Sequence, residues 1–355
     1  MRIALLGSVT SVIPPVSQAA IERLVYEQAV GLAKRGHKIL LFAPSGSAVQ
    51  HWNVTLVSVA DTVLLSGTGK EGKVAEEELY GASYKLRLEV ANIARVLDEL
   101  VARKDEYDVI LNNLRSEAVI WSMASYVKKP LYHIMHLPLF SELAVLAKTH
   151  NVRIISISNA QRKAFPDLPY AGTVYNAVDT NDFSFNPTPD DYVLYLGSIG
   201  RNKNPKDAIL AAKEAGVPMK IGGRIKDQAY YDSEIKPLID GVHVTWIGEL
   251  HPKEVIVLYQ KAKAFLFPTL WEEPFGLVLI EAMSCGTPVI AYPNGAVPEI
   301  VEDGKNGYLV GNVQEMSQKI LKVDQIDRSI CRKTVEEKFS IDKMIDGYEK
   351  IINIS

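Results

Sequence analysis

Cysteine is scarce in this chain of 355 residues: only Cys285 and Cys331 occur. Two cysteines build no disulfide framework and fit no zinc spacing, so a reducing, cytoplasmic setting is expected. Long apolar runs are missing as well. None reaches the ~18–20 residues of a membrane span, which leaves only peripheral contact with a membrane open. The opening MRIALLGS is too short in its apolar part for a secretory leader and reads as a first buried strand. Positive charge is not in excess: 39 lysines and arginines stand against 42 aspartates and glutamates, for a net charge of −3. The basic residues are scattered among acids, so no stripe fits a nucleic-acid backbone and no nucleic-acid partner is expected. There is no Walker A sequence, which argues against a P-loop kinase. No Asp-x-Asp pair and no His/Cys cluster offers itself to a divalent cation, so neither metal nor cofactor is expected.

What is present is globular, with 47% hydrophobic residues. The length suggests about two domains. In the first half, β-branched runs (Arg2–Leu6, His37–Ala43, Val54–Val59, Tyr107–Leu111, Pro130–His136, Val152–Ile157) alternate with amphipathic segments (Ala20–Arg35, Ala82–Ala102, Glu117–Tyr126). The pattern restarts near Tyr192, with strands at Met219–Ile221, Val242–Ile247 and Ala264–Phe267 and a helix at Lys206–Ala215. Such alternation predicts parallel sheets covered on both faces. The fold class is therefore α/β, with two doubly wound Rossmann-like domains. The proline-rich, acidic stretch Asn186–Asp191 is the natural linker, giving domains of 1–184 and 185–338 and a terminal helix in 339–355. In such sheets ligands sit beyond the carboxyl ends of the strands, so an interdomain cleft is the expected place for a site.

The most informative stretch is FLFPTLWEEPFGLVLIEAMSCGTPVIAYPNGAVPEIVEDGKNGYLV, Phe265 to Val310. It joins a buried strand, an acidic loop, a helix beginning near Phe275 or Gly276, a glycine stop and another strand. The first amides of that helix belong to Gly276, Leu277 and Val278 and form an anion site with the helix dipole. Glu273 and Glu281 lie eight positions apart on either side of the helix start. A glutamate early in a helix is ordinarily a dipole effect. The flanking PFG, the AMSCGTP stop and VIAYPNGAVPEIV favour ligand-holding carboxylates that take hydroxyls while the amides take phosphate.

This stretch resembles the donor-binding signature of retaining glycosyltransferases of family 4, which have the two-domain GT-B fold, and the resemblance extends over nearly the whole chain. It implies a hexosyl transfer from a nucleotide-diphosphate sugar to an acceptor hydroxyl with retention of anomeric configuration and no divalent metal. It implies that Glu273 contacts the donor sugar and Glu281 the ribose, with Phe275, Gly276, Leu277 and Val278 lining the donor site. In the turn Gly197-Ser198-Ile199-Gly200-Arg201-Asn202-Lys203, Lys203 is in family register and would neutralise the diphosphate. Ser198 stands where relatives carry Arg, and Arg201 is the candidate replacement. His136, after the strand of LYHIMHLPLF, matches a family histidine near the donor sugar, to donate to a hydroxyl or help move a proton. His133 reads as core or as a residue behind the site. Ala19 and Ala20 replace two family glycines, which puts the geometry of that loop in question; Glu22 keeps register. Ser158 reads as a helix cap, and Asn176 and Asp179 as turn residues.

The resemblance also implies that the terminal helix packs back on the first domain. A UDP-sugar, with glucose or a relative, is the expected donor, ahead of GDP and ADP. The acceptor, a glycan, lipid or small molecule, is expected at the variable loops around Val63–Tyr84. Two alternatives stand: a nucleotide-sugar-binding protein without transfer activity, and a GT-B-fold epimerase.

Overall fold

The computed structural model describes residues 1–15, 19–61 and 82–353. Most of the loop expected to carry the acceptor (residues 63–81) and Val16, Ser17 and Gln18 lie outside the described residues. The chain forms two compact units. Unit 1 is Met1–Ile157, Arg162–Val174 and Ile345–Ser355; unit 2 is Ser158–Gln161 and Tyr175–Met344.

Unit 1 runs β1 (Arg2–Leu6), α1 (Ala20–Lys34), β2 (Lys38–Pro44), β3 (Val54–Ala60), α2 (Ala82–Ala102), β4 (Val109–Asn112), α3 (Glu117–Val127), β5 (Leu131–Met135), α4 (Ser141–Thr149), β6 (Arg153–Ser156) and β7 (Tyr170–Thr173). Its seven strands are ordered β3-β2-β1-β4-β5-β6-β7, and every pair is parallel. Unit 2 runs β8 (Val193–Leu196), α5 (Pro205–Ala215), β9 (Met219–Gly222), β10 (Val244–Trp246), α6 (Pro252–Lys261), β11 (Ala264–Phe267), α7 (Leu277–Ser284), β12 (Val289–Ala291), α8 (Val297–Ile300), β13 (Gly307–Leu309), α9 (Val313–Ile320) and α10 (Arg328–Lys338). Its six strands are ordered β10-β9-β8-β11-β12-β13, again all parallel. The last helix, α11 (Ile341–Ile352), begins in unit 2 and ends in unit 1.

The central strands are apolar throughout because both faces are covered. Every residue of β4, β5, β8 and β11 is buried. Helix α1 buries Leu24, Val25, Gln28, Ala29, Leu32 and Ala33, a stripe at helical spacing. The strand order reverses between β1 and β4 in unit 1 and between β8 and β11 in unit 2. Those reversals open a crevice at the carboxyl ends of the strands, where doubly wound sheets bind ligands.

Three expectations shift. Tyr107 precedes β4 rather than opening it, because its buried hydroxyl donates to Leu100 O at 2.8 Å and plugs the end of α2. Helix α4 and strand β7 were not anticipated: SELAVLAKT has few buried positions, and YAGT is short and poor in β-branched residues. The expected boundary at 184/185 falls inside unit 2. The 186–191 stretch is bound to that unit by Asn186 N–H to Cys285 O (3.0 Å) and Asp190 N–H to Lys261 O (2.7 Å). Arg328 completes this attachment. It is 9% exposed and donates to the carbonyls of Asn186, Ala262 and Gln260, each at 2.9 Å, and to Thr287 Oγ1 at 3.0 Å.

Candidate functional site

In unit 2 the turn after β8 and the loop after β11 meet at the strand-order reversal. Lys203 ends a short 3₁₀ turn, Arg201–Lys203, just ahead of α5. Its ammonium pairs with the Glu273 carboxylate, and both side chains are largely buried, at 22% and 14% exposure. The ammonium also lies 5.7 Å from the centroid of the Phe267 ring at the end of β11. The two loops are tied by backbone as well: Leu270 N–H donates to Asn202 O at 2.9 Å, and buried Thr269 donates to the same oxygen at 3.3 Å.

A second clasp fixes Glu273 from the far side. Ala296 N–H donates to Glu273 O at 2.8 Å, and Gly295 N–H to Glu272 Oε2 at 2.8 Å. Gly295 has φ +61°, and a Cβ there would lie 2.3 Å from both the nitrogen and the oxygen of Glu273. Only glycine lets these chains touch. Sequence reading did not single out Gly295, Asn202 or Thr269; the NG dipeptide was the one local signal of a tight turn.

Helix α7 starts at Leu277, with Gly276 as its N-cap at φ +102°. The first intrahelical donor is Leu279 N–H, to Gly276 O at 3.0 Å. Among the described residues the amides of Gly276, Leu277 and Val278 have no partner. They form the positive end of the helix beside the Lys203–Glu273 pair. Phe275 differs from its expected place. Its side chain is 2% exposed and packs against Tyr175 and Phe339, at ring distances of 6.1 and 5.8 Å. Only its backbone is left for a ligand.

Glu281 lies one turn into α7 and is half-buried. The hydroxyl of buried Tyr259, on α6, donates to Glu281 Oε2 at 3.3 Å. No local pattern marks Tyr259 as a supporter of that carboxylate. Ser198 is half-buried, and its carbonyl accepts from Tyr195 Oη at 3.3 Å. Arg201 turns elsewhere: it is 63% exposed, donates to Glu234 Oε1 at 2.5 Å and covers the Tyr230 ring at 4.7 Å. Hydrogen bonds from Lys206 and then Arg201 hold the Glu234 carboxyl below its usual range.

In unit 1 a polar notch of about 30 Å³ opens at the reversal between β1 and β4, lined by Ser8, Glu22, Glu89, Asn113, Arg115 and Ser116 among others. Glu22 is 7% exposed and accepts from Ser8 Oγ at 3.3 Å. Ala19 is the N-cap of α1 with φ −131°, extended backbone that any residue adopts. The alanine in place of a family glycine therefore introduces no strain at that position.

His136 sits just beyond β5 with Nε2 at 2.8 Å from Asn113 Oδ1. It keeps partial surface exposure, yet the protein packed around it pushes its pKa down to about 3, with the Arg115 charge adding to the effect. His133, inside β5, is 4% exposed and edge-on to Trp121 at 5.1 Å. Burial, and then His136, holds it equally low. Ser158 caps the 160–163 turn by accepting from Gln161 N–H at 3.2 Å. Asn176 is buried with Oδ1 unpartnered among the described residues. No group of three or more His, Cys, Asp or Glu with metal-binding geometry occurs among the described residues, and no described helix is long and apolar enough to cross a membrane.

Residues 179–336 match the family described as Glycosyl transferases group 1. The matched stretch lies within unit 2. Among curated relatives, Spore coat protein SA of Bacillus subtilis is 34% identical over 145 residues, 38% of this chain and 38% of its own. The Uncharacterized glycosyltransferase MJ1178 of Methanocaldococcus jannaschii is 29% identical over 217 residues, 58% of this chain and 60% of its own. These matches span less than two thirds of either relative. The crystal structure of Anabaena Alr3699/HepE in complex with UDP-glucose superposes with a TM-score of 0.71 over 100% of both chains, at 20% identity. At that identity the likeness shows the fold alone, and the fold is GT-B: two Rossmann-like units of seven and six parallel strands. The group 1 match covers the whole Lys203–Glu273–Glu281 arrangement.

Proposed function

We propose that this protein is a retaining hexosyltransferase that takes a nucleotide-diphosphate sugar, a UDP-sugar first of all, and passes the sugar to an acceptor hydroxyl. One observation carries the reading: three unpartnered amides at the start of α7 lie beside the Lys203–Glu273 pair at the strand-order reversal of unit 2. In this reading the diphosphate takes the amides and Lys203, Glu273 exchanges its lysine for sugar hydroxyls, and Glu281, steadied by Tyr259, accepts from the ribose. The developing charge on the departing diphosphate is then met by fixed donors. Lys203 and the amides supply that compensation, so no divalent metal is required. UDP-glucose bound to a GT-B neighbour supports the choice of donor. The notch at Glu22 and Asn113, with His136, is assigned to the acceptor side.

A panel of nucleotide sugars in a thermal-shift assay, followed by nucleotide release with and without EDTA, tests this. A shift with one donor, EDTA-insensitive release and a product of unchanged anomeric configuration are expected. No shift with any donor overturns it. The second reading, binding without transfer, is favoured by one observation: Arg201 is engaged by Glu234 and Tyr230, while Ser198 stands at the family arginine position. A donor shift without turnover selects it.

A further inference from the structure

Unit 1 contains an unbroken relay of four side chains. His136 Nε2 lies 2.8 Å from Asn113 Oδ1, Asn113 Nδ2 donates to Gln28 Oε1 at 3.0 Å, and Gln28 Nε2 donates to Tyr348 Oη at 3.0 Å. It runs from the residue after β5, past the end of β4 and through α1, to α11. Gln28 and Tyr348 are 0% exposed and Asn113 2%, so solvent offers these links few substitutes.

A carboxamide has one donor end and one acceptor end. Neighbouring amides in a relay must therefore point the same way, and turning one requires turning the next. Asn113 gives its nitrogen to Gln28, so its oxygen faces His136. A carbonyl oxygen only accepts, so Nε2 carries the ring proton. Burial keeps this imidazole neutral, and a neutral ring has one proton. Nδ1 then holds a lone pair, and no partner for it occurs among the described residues. His133 reaches the same state by a shorter route. Leu114 N–H donates to Asn112 Oδ1 at 3.0 Å, which leaves Asn112 Nδ2 facing His133 Nδ1 at 3.2 Å. A backbone amide cannot reverse, so His133 is an internal reference.

We propose that Tyr348 serves as the terminal acceptor of this relay and that Asn113, Gln28 and Tyr348 are thereby positioning residues that hold His136 in its Nε2-protonated tautomer, so that Nδ1 meets a substrate hydroxyl as a hydrogen-bond acceptor and not as a donor. The substrate half of this statement rests on the transfer reading above; the tautomer half does not.

Long-range proton–nitrogen correlation spectra of the ¹⁵N-labelled full chain at neutral pH decide it, with His136 assigned by the peaks lost in His136→Gln. The expected result is Nε2 protonated and Nδ1 bare for both His136 and His133. A protonated Nδ1 or a charged ring at His136 overturns the proposal without any variant having to fold. Tyr348→Phe removes the last acceptor, and the Nε2-protonated fraction of His136 is expected to fall while His133 stays unchanged. A His136 spectrum indifferent to Tyr348→Phe sinks the relay. Asn113→Asp presents oxygen alone and is expected to keep the tautomer; its loss there also counts against the relay. In turnover, Tyr348→Phe is expected to lower kcat several-fold with donor KM unchanged, a split that general loosening of the fold does not give. If the wild-type chain turns over no nucleotide sugar, the transfer reading fails and the spectra still judge the relay.

Discussion

The ammonium of Lys203 and the carboxylate of Glu273 face each other across the strand-order reversal of unit 2, joining the turn after β8 to the loop after β11. Each neutralises the other, and in the proposed function a donor with its own phosphate and hydroxyls takes both over. Lys203→Ala therefore removes the cation proposed to meet the diphosphate and leaves a largely buried acid without its partner. A loss of roughly 100-fold in kcat/KM is expected, the size seen when one fixed donor to a developing charge is removed. Lys203→Arg keeps the charge and should recover part of it. Steady-state kinetics on both variants check this, and full activity in Lys203→Ala would remove the lysine from the mechanism.

Glu281 makes a second, separable prediction. A charge-assisted hydrogen bond contributes ~1.5–3 kcal/mol, so Glu281→Ala should raise donor KM by roughly ten-fold or more with a smaller effect on kcat. The penalty should shrink with a 2′- or 3′-deoxyribose donor. Equal penalties with ribose and deoxyribose donors would show that the carboxylate does not hold the ribose.

Gly295→Ala tests the loop geometry without touching a charged group. The added Cβ would meet the Glu273 backbone at 2.3 Å, too close for any Cβ to sit. The Glu273 loop must move, and a loss of activity well above ten-fold is expected. Circular dichroism should show the sheets intact, since Gly295 lies in the turn between β12 and α8. Wild-type kinetics in this variant would count against Glu273 as a ligand holder.

Acid should weaken unit 1 before it reaches the carboxylate range. His133 ordinarily titrates at 6.5 and is pushed down to about 3 in the fold. The unfolded chain thus binds a proton between those values that the folded chain does not, so stability falls as pH falls through that window. Urea midpoints should drop from pH 7 to pH 5. His133→Gln, which does not titrate, should flatten the slope even if it lowers the midpoint. An unchanged slope would mean that His133 is protonated in the folded state.

Arg328→Leu should destabilise unit 2 by about 3 kcal/mol or more, because one buried carbonyl, that of Ala262, and two part-buried ones, of Asn186 and Gln260, lose the guanidinium at once. The urea midpoint would show it. A change under about 1 kcal/mol would mean that water replaces the guanidinium.

The doubly wound architecture was legible because it rests on short-range patterns. The span Ala82–Ala102 is a helix end to end, and Ala264–Phe267 is a strand end to end. The carboxylates at 273 and 281 were legible because they flank a helix start within one short segment. What was hidden depends on long-range pairing. Nothing near Gln28 announces that it bonds to Tyr348, 320 positions away. Nothing near Lys203 announces Glu273, 70 positions on. Arg201 was a candidate because it lies close to Ser198, where relatives carry Arg; Glu234 and Tyr230, which claim it, come later in the chain. The passage into unit 2 near Tyr175 was obscured because Asn186–Asp191 has linker composition yet is hydrogen-bonded into unit 2.

Both cysteines of the chain, Cys285 and Cys331, are 0% exposed, and burial pushes each thiol up to about 12. At neutral pH neither is a thiolate, and thiol reagents attack the thiolate. The native chain is therefore expected to be unreactive toward maleimides while it stays folded. A single cysteine placed on an exposed helix position such as Val90 or Tyr126 would take a fluorophore alone. The protein can be labelled for distance measurements without first removing a native residue.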